Sequence, residues 1–505
     1  MLPRFLCAWM APRLFCPYRL TVISLICASG PCFALLLAGC SSNNSSTTPN
    51  GGQPLATPQL TVLVVDSPNI GEKIKAEWRS NTDTEDEVVI RHVTWKEITS
   101  AKRLPGDLIV YSAGMVGELA EAGLIAPISD RTLENDAFAL RDIYKQIRLH
   151  EMKWGDKVFA LPLGSPQLLL VYRADIFTKL KLKPPQTWAE YDALAARLAN
   201  RKELGELAPA GDAPWRGSAV PLAPGYAGQL LFARSAAYAA HKEQISPLME
   251  LGSLKALVDQ PPYVRALREM AAGSGEKNGK LPQFTPAEAY LEIAQGRCAM
   301  AITWPSATGA KEAAKKQKAS SEPKPCELGF AELPGAREVY NFGDKKWGER
   351  PADEDSHVPL MAISGWMVSV TATRNNQEAA ENMATWLCGS EFSSQISPAS
   401  PNTTLFRISQ EPEAGQWLGS IGDSGVREYV AALRQTQERA THSPGIRLPG
   451  REEYLSALDQ AVVDSLQGKK SPEEALAAAA AAWDKITARR GLEAQRPALQ
   501  RSLGL

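Results

Sequence analysis

Metal-binding and redox side chains are scarce in this 505-residue chain. Its five histidines (His92, His150, His241, His357 and His442) are scattered, and none has a Cys, Asp or Glu at the spacing of a zinc site. Neither a metal nor a cofactor is therefore expected. Five of the eight cysteines (Cys7, Cys16, Cys27, Cys32 and Cys40) fall in the first 40 residues, leaving Cys298, Cys326 and Cys388 for the body. An odd number of thiols cannot close a disulfide framework. Cys298 and Cys326 each begin a strand-like segment, so a bridge between them and three separate buried thiols both stay open. A basic excess is absent too: 55 Lys and Arg stand against 56 Asp and Glu, which argues against a nucleic-acid partner. Beyond residue 40 no apolar run approaches membrane-spanning length. The G-x-S-x-G nucleophile elbow is missing. Gly279-Lys280 suggests a phosphate loop, but Ser274 replaces its first glycine and Leu281 its Ser/Thr. Acid pairs such as Asp83/Glu85 and Glu452/Glu453 read as solvated faces. The chain is not read as an enzyme, although acids distant in sequence could still assemble a glycosidase pair.

What is present begins with the leader. Arg4, Arg13 and Arg19 precede an apolar run over residues 20–37, no acid occurs before Cys40, and Leu37-Ala38-Gly39-Cys40 closes the segment. That is the order of a secretory signal: basic, apolar, then a small-residue cleavage site. An uncleaved membrane helix is the alternative, but Ser24, Ser29, Gly30 and Pro31 interrupt the run. Leu-Ala-Gly-Cys resembles the bacterial lipoprotein box, which implies cleavage after residue 39 and acylation of Cys40. Two or three acyl chains, at about 0.8 kcal/mol per buried CH₂, hold a soluble body on a bilayer. Removing residues 1–39 leaves 52 basic and 56 acidic side chains, a net charge near −4. Residues 40–59, rich in Ser, Asn, Thr, Gly and Pro, read as a flexible tether.

Folded sequence starts at residue 60. Leu60-Thr-Val-Leu-Val-Val65 is a continuous apolar run, as in strands buried on both faces. Ile70, Ile74 and Trp78 recur at helical spacing, and residues 88–90 and 108–111 are strand-like. A helix through Met115, Leu119 and Ala122 ends at Gly123. Strands alternating with helices of this length predict a parallel α/β sheet. Further strands are predicted over residues 158–163, 168–173, 299–303, 328–333 and 361–370, and a helix over 375–387. Thr187, Thr285 and Ser471 each precede a glutamate by three residues, the capping-box spacing. The Lys-rich stretch 311–325 reads as a solvated excursion.

Several strand ends lead into loops carrying Ser, Gly or an aromatic residue: Asp66-Ser67-Pro68-Asn69, Ser112-Ala113-Gly114, Gly164-Ser165-Pro166-Gln167, Pro224-Gly225-Tyr226, Trp304-Pro305-Ser306 and Ser364-Gly365-Trp366. Ligands gather at the carboxyl ends of strands in open α/β sheets. Weakly charged polar groups among Trp and Tyr suit a polyhydroxylated solute, whose apolar faces stack while its hydroxyls hydrogen-bond. Trp304 and Tyr226 could equally be core aromatics, and Ser67 or Ser306 helix caps.

In order and wording these segments resemble the family 1 extracellular solute-binding proteins of bacterial ABC importers, the maltose-binding type. The segments that carry the likeness are Gly117-Glu-Leu-Ala-Glu-Ala-Gly-Leu-Ile-Ala-Pro-Ile128, Trp154-Gly-Asp-Lys-Val-Phe-Ala-Leu-Pro-Leu163, Tyr172-Arg-Ala-Asp-Ile-Phe177, Gln295-Gly-Arg-Cys-Ala-Met-Ala-Ile-Thr-Trp304 and Ser471-Pro-Glu-Glu-Ala-Leu476. The resemblance implies a two-lobed α/β periplasmic-binding-protein fold (type II) with an interlobe ligand cleft and hinge crossovers. It implies a first lobe of residues 60–163 with a return segment 359–392. Residues 164–358 and 393–505 would form the second lobe and the C-terminal helices. Carried over by position, Asp66, Ser67 and Ser112 would face the ligand from the first lobe, and Gln167 would follow the first crossing. Tyr226 and Trp304 would be stacking platforms, Trp366 would flank the return crossing, and Arg407 would add a polar contact. The implied function is capture of a small neutral solute, a sugar or oligosaccharide, for a membrane permease. The protein would be a monomer in the cell envelope, anchored through Cys40. A polysaccharide-degrading surface lipoprotein and a ligand-sensing receptor partner are the alternatives. Two departures stand out: an extra segment around residues 342–354, and loss of the charged groups that grip maltodextrins.

Overall fold

The computed structural model describes residues 59–81, 88–207, 214–273, 281–316, 326–373 and 376–505. The Cys40 box, the tether up to residue 58 and Asp83/Glu85 lie outside the described residues.

Two sheets organise the chain. The first has the strand order Val88–Val93, Leu60–Val65, Leu108–Ser112, Trp366–Val370, Leu161–Gly164. Val62, Leu63 and Val64 are wholly buried, as the unbroken apolar run of their strand predicts. The helix Pro68–Asn81 turns Ile70 and Ile74 inward. The second sheet has the order Leu328–Ala331, Leu169–Arg173, Cys298–Thr303, Arg216–Ala219. Each sheet with its helices is one lobe.

The parallel expectation holds for only part of this. The first three strands of the first sheet are parallel, but Trp366–Val370 runs antiparallel to both its neighbours. In the second sheet only Arg216–Ala219 and Cys298–Thr303 are parallel. The strand predicted over residues 361–370 is in fact broken. Leu360–Met361 pairs with Ser443–Pro444, and the first-sheet strand starts only at Trp366. Ala362 and Gly365 have φ of +55° and +98°, which a continuous strand does not accommodate. This break is the second crossing between lobes, and a chain re-crossing from the other lobe enters the sheet from the opposite end. Residues 165–168 form the first crossing. A third passes through residues 397–406, where the Ser397 and Thr404 hydroxyls donate to the carbonyls of Leu163 and Ser165.

Local signals were met where caps decide them. Thr285 and Ser471 make full capping boxes with Glu288 and Glu474. Part of the supposed polar excursion is helix, Ala307–Lys316. The extra segment supplies the turn and second strand of a hairpin, Glu338–Asn341 with Lys346–Glu349, whose Trp347 leans on Tyr340 and on the Arg265 guanidinium. Cys298 and Cys388 are buried free thiols, so Cys298 makes no bridge to Cys326. No helix among the described residues is long and apolar enough to cross a membrane.

Candidate functional site

The site is built where the two sheets end against the crossings. In the first sheet Trp366 is level with Ser112 on one side and Gly164 on the other. In the second, Leu169 is level with Thr303, so Trp304 emerges beside the first crossing. A third aromatic arrives on the loop before the helix Ala227–Ala239. Gly225 there has φ +86°, and the Asp459 carboxylate accepts the N–H groups of Gly225 (2.5 Å) and Gly228 (2.7 Å). Burial pushes the Asp459 carboxyl up, against those two N–H groups and the Arg451 charge, so the bonds hold a loop that would otherwise be costly to order.

One short run from the third crossing touches all three aromatics. The Trp304 indole donates to the Pro401 carbonyl (3.0 Å) and the Trp366 indole to the Ser400 hydroxyl (2.6 Å). The Tyr226 hydroxyl meets the Asn402 side-chain oxygen at 3.4 Å. Tyr226 and Trp304 rings lie 6.0 Å apart at 59°. Trp304 is 0% and Trp366 8% exposed, so the arrangement is a closed one. Gly164 is required here, since a Cβ on it would strike the Thr403 side chain.

Arg451, which sequence reasoning missed, opens the helix Arg451–Leu466 in the middle of this group. Its guanidinium donates to the Ile363 carbonyl (3.0 Å) of the second crossing and lies against Gly114 of the first lobe, where any Cβ would collide with it. Burial pushes its pKa down to about 10, against the pull of Glu452, Tyr226 and Asp459. Its Nε has no hydrogen-bond partner among the described residues.

Next to this lies an open cleft of about 680 Å³. Asp66, Trp95 and Glu118 line its first-lobe side, and Gly450, Glu452 and Arg490 face them. Asp66 is exposed at φ +49° and accepts the Trp95 N–H at 3.1 Å, so it caps that helix as well as facing the cleft. The Gly450 N–H donates to Glu118 (2.6 Å), which also pairs with Arg490 (3.3 Å). Glu452 thus lines the cleft rather than a plain solvated face. Burial raises its carboxyl, Arg451 opposes this, and Asp66 and Glu118 add to it.

The remaining candidates divide. Ser67 opens the helix Pro68–Asn81, its carbonyl accepting from Gly71, and Ser306 caps Gly309. Ser112 sits beside Trp366 in register. Gln167 is buried in the first crossing, its amide on the Ser165 hydroxyl at 3.3 Å and its oxygen without a partner among the described residues. Arg407 lies apart from this group: it is 0% exposed and holds the carbonyls of Phe138, Ala139 and Cys388 and the Asp142 carboxylate. It makes none of its contacts with the aromatic group and serves as a backbone clamp. The signal that separates Arg407 from Arg451 is three-dimensional, since each stands at the start of a helical segment, Arg407 just before Ile408–Glu413 and Arg451 as the first residue of Arg451–Leu466.

A second cavity, about 150 Å³, lies inside the second lobe among Trp188, Leu222, Leu230, Phe284 and Ile302, away from the crossings.

Comparison with known proteins places this architecture. Residues 70–391 match the model of the bacterial extracellular solute-binding proteins. Similar solved structures include an ABC transporter solute-binding protein from Agrobacterium radiobacter K84 in complex with ribitol (18% identity, TM-score 0.62, 86% of this chain and 100% of that one). Others are one from Agrobacterium vitis S4 with D-mannitol (16%, 0.58, 86% and 99%) and one from Thermotoga lettingae TMO with α-D-tagatose (17%, 0.57, 85% and 99%). At these identities the structures speak for the fold, and the family match spans well over half the chain. With two lobes, three crossings and a cleft between them, this chain belongs to the bacterial extracellular solute-binding proteins.

Proposed function

We propose that the protein captures a small, neutral, polyhydroxylated solute, a sugar or sugar alcohol, and presents it to the membrane permease of an ABC importer. The observation that carries this is the meeting of Tyr226, Trp304 and Trp366 on Ser400-Pro401-Asn402. Three aromatic faces with hydroxyl and amide groups between them match alternating CH and OH surfaces. Asp66 and Trp95 supply polar and stacking partners from the cleft, with Ser67, Ser112, Gln167 and Arg451 as further polar partners. Lobes divide at residues 60–163 with 359–392, and 164–358 with 393–505. A solute touching both lobes binds the closed state better and so shifts the population toward it. Glu452 and Asp66 are acids on opposite sides of the cleft, the arrangement an enzyme would need. Because Asp66 is committed to the Trp95 N–H, binding without chemistry is the better reading.

A thermal-shift screen tests the solute class. Ribitol, D-mannitol, tagatose and mono- and oligosaccharides would be run beside amino acids, polyamines and metal ions. A ligand at a hundred times its Kd adds about 2.7 kcal/mol to native stability. The expected result is stabilisation by a sugar or polyol and by none of the others. Stabilisation by a polyamine or amino acid alone sinks the reading.

The anchor is a separate matter. Acylated Cys40 would hold the mature protein as a monomer on the outer face of a bacterial membrane, where tethering raises its concentration near the permease. Cys40→Ser is expected to move the protein into the soluble fraction in detergent-free fractionation. Continued sedimentation with membranes contradicts it.

A further inference from the structure

Behind the cleft, where the crossings meet, lies a cavity of about 190 Å³ that solute capture does not use. Glu151 stands at its wall, 1% exposed. One carboxylate oxygen accepts the Ser165 hydroxyl (2.6 Å) of the first crossing, the other the Ala362 N–H (3.0 Å) of the second. His150, its neighbour in the chain, lies against His442 with ring centroids 3.9 Å apart. His442 leads into Ser443–Pro444, the short strand paired with Leu360–Met361 just before the second crossing. Arg447 closes the group by donating to the carbonyls of His150 (2.6 Å), Glu151 (2.9 Å) and Lys153 (2.6 Å).

We propose that Glu151 is a positioning residue for lobe closure: it ties the first crossing to the second, and the His150–His442 contact beside it makes that tie acid-sensitive. A carboxylate shared by two crossings fixes the angle at which both leave the first lobe. The two rings keep residues 150–151 seated against residues 442–447, and they do so best while uncharged, since burial and the nearby cations disfavour a charged ring and two imidazolium rings repel at this distance. The charged groups around the pair are Glu151, Arg447, Lys153 and Lys145, three of them cations, while the C-terminal helix adds only Ser502 and Leu503 to the cavity.

The direction of the pH effect follows. Burial, then His442, Arg447 and the two lysines, push His150 down to about 4. Burial also lowers His442. A separated ring titrates near 6.5, so between pH 6.5 and 4 the separated state takes up protons that the stacked state does not. The contact is at full strength above pH 6.5 and weakens progressively as the pH falls toward 4. Relative to pH 7.5, the balance at pH 5 shifts toward separation by up to about 30-fold, roughly tenfold once partial solvation of the pair is discounted.

Hydrogen exchange on the ligand-free full chain tests this without knowledge of the solute, so it stands or falls apart from the capture reading. Exchange over residues 165–168 and 362–365, corrected for intrinsic pH dependence, is expected to be about tenfold faster at pH 5.0 than at pH 7.5. H150F/H442F, which keeps two rings that cannot titrate, is expected to lose most of this response, the remainder being that of Glu151, whose carboxyl burial pushes up. Glu151→Ala is expected to exchange fast at both. Unchanged wild-type protection at pH 5.0, a full pH response in H150F/H442F, or wild-type protection in Glu151→Ala overturns the proposal. If H150F/H442F does not fold, H150Q/H442Q, which also cannot titrate, carries the same comparison.

Discussion

Trp304→Ala is expected to weaken capture of the solute found by the screen at least about thirtyfold and to lower unfolding free energy by about 3–5 kcal/mol. The two losses have different origins. Trp304 is 0% exposed, so truncation leaves a cavity that the surrounding second lobe fills only in part. It also strips the Pro401 carbonyl of its donor and Tyr226 of its ring neighbour. Binding loses a stacking face in addition. Trp304→Phe separates them: it keeps a ring, gives up the indole N–H, and is expected to cost about 1 kcal/mol of stability while holding affinity within about tenfold. Calorimetry on the folded variants checks both. An unchanged Kd in Trp304→Ala would remove Trp304 from the site and leave it as core alone.

The second large effect falls on stability without touching the solute. Arg407→Met is expected to lower unfolding free energy by about 3–5 kcal/mol, because it leaves the Asp142 carboxylate and three backbone carbonyls without their shared partner. Arg407→Lys restores the charge but not the planar fork, and is expected to recover less than half of that. Urea midpoints measure the loss, and calorimetry on folded protein is expected to show an affinity within about threefold of wild type. A variant with wild-type stability and no solute binding would return Arg407 to the cleft.

These two residues show what could be read in advance. Trp304 follows six strand residues and precedes Pro-Ser, so its place at a strand end was legible. The cap residues Thr285 and Ser471 were legible for the same reason, because a cap is satisfied by a residue three positions away. The Thr94–Glu97 box, which starts the short helix carrying Trp95, obeys the same rule and was available to the same search. Arg407 and Arg451 offered no such handle. A buried clamp in one lobe and a cation at the crossings have the same chemistry, and they differ only in which distant groups surround them.

The sequence by itself determined the order of elements, the buried first strand, the main helix starts and the family, since all of these rest on spacings within a few residues or on the succession of short segments. Tertiary structure alone decided that Trp366–Val370 runs antiparallel, that the strand breaks at Ala362 and Gly365, and that Ser400-Pro401-Asn402 gathers three aromatics. It alone seated Glu151 between two crossings. Those outcomes depend on contacts between residues tens to hundreds of positions apart, for which neither a period of 2 nor one of 3.6 carries any signal.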